Sequence, residues 1–143
     1  MKLTAMLATL SLAGALLAGA AADPVVVKAA DVKCVDHPFV KGGQMAVQSG
    51  DPSKGPSVIL MRFPKVMTIA PHTHTSDETV TIVAGSAVFG GGETVDLSKG
   101  VEVGPGAYAV IPGKAPHWGV VKEDLVFTVT LNLPADFHLC GQK

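Results

Sequence analysis

The chain has 143 residues, of which 48% are hydrophobic, 5% aromatic and 16% charged, with a formal net charge of −1. That length suits one domain around one core, and a near-neutral balance without a Lys/Arg cluster speaks against nucleic acid or an anionic membrane as partner. With so few aromatic residues, Val, Ile and Leu must fill the core.

Residues 1–22 read as an export leader. Lys2 supplies one positive charge, and residues 3–22 carry none. Ala20-Ala21-Ala22 offers the small residues that a signal peptidase reads. Cleavage is expected before Asp23, which leaves 23–143 as a single domain in the periplasm or outside the cell. A retained anchor is the alternative, since about 20 apolar residues span a bilayer. The Ala and Gly content makes a weak span, and no basic stop-transfer cluster follows, so no membrane association is expected after cleavage. Cys34 and Cys140 bracket almost the whole domain, and export permits a disulfide between them. Two unrelated buried thiols are the alternative.

Beyond Asp23, short strands alternate with Gly/Pro turns. Residues 25–27 are β-branched, and 44–48 form a candidate strand. A dense turn signal over 49–56 precedes a strong strand at 57–63, which Pro64-Lys65 ends. Extended segments follow at 66–74 and 79–84. Residues 86–89 and 94–97 flank Gly90-Gly91-Gly92 like the arms of a hairpin. Gly104-Pro105-Gly106 is a turn before a strand at 107–111, and 119–121 and 125–133 complete the set. At least eight short strands with little room for a helix predict an all-β sandwich or barrel. Val58-Ile59-Leu60-Met61 is apolar on both faces, which calls for a second layer, either another sheet or a partner subunit.

Two segments carry the chemistry. The first is Pro71-His72-Thr73-His74-Thr75-Ser76-Asp77-Glu78, and the second is Pro112-Gly113-Lys114-Ala115-Pro116-His117-Trp118. Side chains alternate along a strand, so His72 and His74 share a face. A bend at Ser76-Asp77 returns Glu78 to them, and His117 closes the group from another strand or loop. Three imidazoles and a carboxylate suit Mn, Fe, Co, Ni, Cu or Zn better than Ca or Mg. Ordinary surface histidines are the bland alternative.

The spacing resembles the two motifs of the cupin superfamily. In G-x5-H-x-H-x3,4-E-x6-G the chain matches at His72, His74, Glu78 and Gly85, with Val66 in place of the leading Gly. In G-x5-P-x-G-x2-H-x3-N it matches at Gly106, Pro112 and His117; Lys114 stands where Gly is expected, beside Gly113, and Val121 replaces the Asn. The run from Gly50-Asp51-Pro52-Ser53-Lys54 through Arg62-Phe63-Pro64 to His74 is similar to small exported single-domain bacterial cupins, mostly without an assigned activity. The resemblance implies a double-stranded β-helix, or jelly-roll barrel, often a homodimer. It places one divalent metal on His72, His74, Glu78 and His117 inside the barrel mouth.

Four further residues are pocket candidates. Arg62 lies in an apolar strand, where a buried charge needs a partner. It would bind a substrate carboxylate inside the barrel or pair with Asp96 or Glu102. Tyr108 offers a hydroxyl to a substrate or pins a barrel wall. Lys114 and Trp118 flank His117 as pocket groups, or else as a solvent-facing turn lysine and a rim aromatic. His37 and His138 read as structural or surface residues, and Met45, Met61 and Met67 as core. The expected function is a metalloenzyme acting on a small molecule, by dioxygenase or Lewis-acid chemistry with Glu78 as a possible base. Non-catalytic binding of a small ligand or metal, and a purely structural metal, are the alternatives.

Overall fold

A computed structural model describes residues 23–141. The leader predicted over 1–22 lies outside the described residues. Among those described, no helix is long and apolar enough to cross a membrane. Eleven strands follow in order: β1 (Val35–Asp36), β2 (Gln44–Gly50), β3 (Ser57–Phe63), β4 (Thr68–Thr73), β5 (Glu78–Ala84), β6 (Ala87–Gly91), β7 (Val101–Val103), β8 (Tyr108–Ile111), β9 (His117–Val121), β10 (Leu125–Leu131) and β11 (His138–Leu139). They form a six-stranded sheet in the order β1-β2-β3-β10-β5-β8 and a five-stranded sheet in the order β11-β4-β9-β6-β7. The pairings are antiparallel. The all-β reading holds, and the second layer that β3 calls for is the opposing sheet.

The core follows from side-chain alternation. Ile59, Met61 and Phe63 of β3 face inward with Phe127, Val129 and Leu131 of β10 and with Val80 and Ile82 of β5. Ile69, Ala87 and Val121 meet them from the five-stranded sheet. Phe63 and Phe127 pack edge to face with centroids 5.2 Å apart, a favoured aromatic geometry. Aliphatic side chains supply most of this interior.

Three local expectations differ. Residues 25–27 form no strand and are exposed; no described strand pairs with them, and β propensity without a partner strand does not make a sheet. Residues 94–97 do not return as a hairpin arm. The Asp96 side chain accepts a hydrogen bond from the Ser98 amide at 3.1 Å and starts a 3-10 turn over Leu97–Lys99, so local capping wins over strand pairing. β6 pairs instead with β7 on one side and β9 on the other. Nor is there a disulfide. Cys34 and Cys140 are both free. Cys34 precedes β1, at the edge of one sheet, whereas Cys140 follows β11, at the edge of the other, and its amide donates to the Pro71 carbonyl at 2.9 Å. Bracketing in sequence therefore brings no proximity in space.

The two places where glycine was expected but absent keep a glycine-like backbone. Val66 has φ +67° and Lys114 has φ +66°. Both sit in the left-handed region, which is costly for a β-branched residue above all. Val66 is 88% exposed, so its side chain offers little packing to offset the strain. Val66→Gly is therefore expected to stabilise the fold by about 1 kcal/mol and raise the melting temperature by about 4 °C. An unchanged or lower melting temperature in calorimetry would show that Val66 carries no strain.

Candidate metal centre

β4 and β9 lie side by side, and His72 and His117 face each other directly across them. That register joins the two sequence segments. His74 lies just past the end of β4, and Glu78 opens β5 in the opposite sheet. The quartet thus spans the gap between the sheets. One ring nitrogen each from His72, His74 and His117 lies within 4.8 Å of the others. Glu78 Oε2 is 3.3 Å from His74 Nε2 and 3.2 Å from His117 Nε2. All four side chains are buried or nearly so.

A docked turn holds the second segment against the first. The Gly113 amide donates to Asp77 Oδ1 at 2.8 Å, and the Lys114 amide donates to the His74 carbonyl at 2.7 Å. A Cβ on Gly113 would press on the Thr75 carbonyl oxygen at 2.6 Å. The glycine displaced by one position therefore has a steric purpose of its own.

Backbone carbonyls determine which nitrogens face the centre. His72 Nδ1 donates to the Ala70 carbonyl at 2.7 Å, and His117 Nδ1 donates to the Ala115 carbonyl at 3.0 Å. His74 Nδ1 donates to the Asp136 carbonyl. A carbonyl only accepts, so each Nδ1 carries a proton. In the neutral rings Nε2 then holds a lone pair, the state needed of a metal ligand.

Lone pairs on Nε2 and on a carboxylate oxygen repel at 3.2–3.3 Å unless a proton or a metal cation lies between them. Glu78 Oε2 is fully buried and has no well-aimed hydrogen bond, although both imidazoles lie within ion-pair distance. Converging donors around an orphaned carboxylate oxygen fit a divalent transition metal. The electrostatics agree. Burial would raise the Glu78 carboxyl, but contacts with His117 and His74 outweigh it and lower it to about 2. Burial, with His117 adding to it, lowers His72 to about 4. Burial also works against protonating His74, yet the Glu78 carboxylate beside it leaves that group raised.

Both ends of the described chain cover the centre. Phe137 stacks on the His72 ring at 4.1 Å and 15°. Asp136 accepts from the Thr75 amide through Oδ1 at 2.8 Å and contacts His138 through Oδ2 at 3.1 Å. Phe39, from the other end, stacks on Phe137 at 5.6 Å and 8°. Sequence reasoning missed Asp136 and Phe137, and it did not place His37 on the cavity that the cluster opens into. They lie far from the histidine segments and show no spacing pattern, so only the folded path of the termini reveals them. The cluster opens into a cavity of about 730 Å³ within the barrel, with walls that include Ile59, Met61, Val80, Phe89, Phe127 and Val129. This volume suits a small organic ligand.

The four pocket candidates fare differently. Arg62 does not enter the barrel. Met61 and Phe63 point inward, so alternation sends Arg62 outward, towards a separate shallow pocket with Gln44 and Asp124. It pairs with neither Asp96, which holds Lys99, nor Glu102, and its Nε is buried without a partner among the described residues. Tyr108 borders the open side of the cavity but is 71% exposed, so it pins no wall. Lys114 is a solvent-facing turn residue absent from the cavity walls, and it acts through its backbone. Trp118 is no rim aromatic. It borders the cavity beside Gly90 and Gly91, but it is 1% exposed, on the face of β9 opposite His117, with Gly90 and Gly100 against its indole and its N–H 3.3 Å from the Gly91 carbonyl.

No protein-family profile matches the chain, and no curated protein resembles it significantly. Solved structures do. An RmlC-like cupin from Shewanella frigidimarina NCIMB 400 is 14% identical over 79% of this chain and 93% of its own, with a TM-score of 0.62. The polyketide cyclase RemF from Streptomyces resistomycificus is 19% identical over 85% of this chain and 88% of its own, with a TM-score of 0.65. KdgF from Halomonas sp. is 19% identical over 76% of this chain and 94% of its own, with a TM-score of 0.60. At such identities the likeness establishes the fold: the chain has the cupin, or double-stranded β-helix, architecture.

Proposed function

We propose that the protein is an exported metal-dependent enzyme acting on a small, largely apolar molecule. The observation that carries this reading is the buried His72, His74, His117 and Glu78 cluster opening directly into the apolar cavity. Three Nε2 lone pairs and Glu78 Oε2 would hold one ion, and a six-coordinate ion keeps about two positions for substrate. Mn, Fe, Co, Ni, Cu or Zn would supply Lewis-acid polarisation there, and Fe would add oxidative chemistry. The apolar walls exclude water and orient the substrate's hydrocarbon part. RemF, a polyketide cyclase on the same fold, supports small-molecule chemistry in such a barrel.

Glu78 suits the role of ligand better than that of base, because a carboxyl lowered to about 2 is a poor proton acceptor at neutral pH. That same observation favours the second reading, a non-catalytic ligand- or metal-binding protein, since it leaves the centre without a strong base. Metal analysis of protein from its own cell envelope, followed by X-ray absorption, separates the readings. The expected result is about one metal per chain, with nitrogen and oxygen ligands and a shell that changes when a bidentate ligand is added. A closed four-ligand shell that ignores added ligand would sink the enzyme reading.

A further inference from the structure

His37, which sequence reasoning left as a structural or surface residue, lines the same cavity as the metal centre. Its ring sits edge-on among Phe39, Phe63 and Phe137, with centroids 6.1, 5.8 and 6.3 Å away. Its Nδ1 accepts two backbone hydrogen bonds, from the Phe39 amide at 3.1 Å and the Val40 amide at 3.0 Å. Two amides can share Nδ1 only if it carries no proton, so the proton resides on Nε2. Among the described residues no side chain or carbonyl accepts from that Nε2–H. Protonating the ring fully would break both amide contacts, which keeps His37 an uncharged donor.

We propose that His37 is a ligand-binding residue whose Nε2–H donates to a neutral oxygen of the bound molecule. The ligand class is then an apolar chelator with a carbonyl, hydroxyl or ether oxygen beyond its metal-binding end. This rests on the metal-dependent reading above. Charge around the cavity supports it. Arg62 lies outside the barrel, Lys99 is held by Asp96 at 2.9 Å, and Asp136 adds negative charge at the mouth. Among the described residues lining the cavity, a second carboxylate on the ligand would meet no lysine or arginine other than the paired Lys99.

The test compares 4-methoxycatechol with 4-ethylcatechol, which match in size but differ by one ether oxygen. Binding is measured by titration calorimetry on nickel-loaded protein, since Ni(II) is redox-inert towards catechols and takes six ligands, whereas zinc on four protein ligands is a closed tetrahedral site. The wild type is expected to prefer the methoxy compound by about three- to tenfold, the range of one net hydrogen bond. In His37→Asn the side-chain oxygen replaces Nδ1 as acceptor of the two amides, while the donor at Nε2 is lost. That variant loses the ring's edge-on contacts and is expected to melt somewhat lower, but to bind nickel equally and to bind both catechols alike. His37→Gln, whose amide N–H reaches towards the Nε2 position, is expected to keep the methoxy preference. Equal binding of the two catechols by the wild type would overturn the proposal, as would a preference that survives in His37→Asn. Equal loss of both catechols in both variants would mark His37 as merely structural. If the nickel-loaded wild type binds neither catechol, the ion has no open positions for a chelating ligand, and the metal-dependent reading fails together with this one.

Discussion

His72→Ala or His117→Ala is expected to weaken zinc binding by more than a hundredfold, measured by competition with a chromogenic chelator. Loss of a residue that merely orients a metal ligand costs 10–100-fold, and removal of a ligand itself costs more. These two residues face each other across β4 and β9, so losing either leaves one side of the cluster open. Stripping the metal should also lower the melting temperature of the wild type. A ligand at 100 times its Kd stabilises the folded state by about 2.7 kcal/mol, or about 10 °C for a domain of this size. The alanine variants should melt near the stripped wild type and respond little to zinc. Wild-type affinity in either variant would move the metal site elsewhere. A variant that loses zinc binding yet melts like the metal-loaded wild type would exclude a structural role for the metal.

Trp118→Ala is expected to destabilise the domain by about 4 kcal/mol, lowering the urea midpoint by about 2–3 M. The indole is fully buried, and the backbone of Gly90 and Gly100 approaches it so closely that a Cβ on either would overlap it. Removing it leaves a void lined by two glycines and Val88, which have no side chain long enough to fill it. Because Trp118 lies on the far face of β9, Trp118→Phe should recover part of the stability and bind zinc like the wild type. A pocket role would give the opposite pattern, with little change in stability and a direct loss of ligand affinity.

Much of the candidate metal centre was legible in the sequence because its spacing is local. In His72-Thr73-His74 alternation puts both rings on one face, and the bend before Glu78 brings the carboxylate back. β3, β5 and β10 were equally legible, since runs such as Val58-Ile59-Leu60-Met61 have no other plausible use in a chain this poor in helix signals. Elements whose existence depends on a distant partner were not. β1 and β11 have two residues each and exist through pairing with β2 and β4. β7 replaced the expected 94–97 arm because Asp96 capped its own turn.

By itself, the sequence determined an all-β domain and the four donors that meet in it, because alternation and turn chemistry act over a few residues. Only the tertiary structure decided which way single side chains point and what the termini do. It sent Arg62 outward, sealed Trp118 behind β9 and kept Cys34 from Cys140. It also folded both ends of the described chain over the centre, bringing His37, Asp136 and Phe137 to a site more than 30 residues away for the first and more than 15 for the others. Such outcomes depend on strand register and sheet order, which are set by contacts between segments far apart in the chain, and one sequence carries no local mark of them.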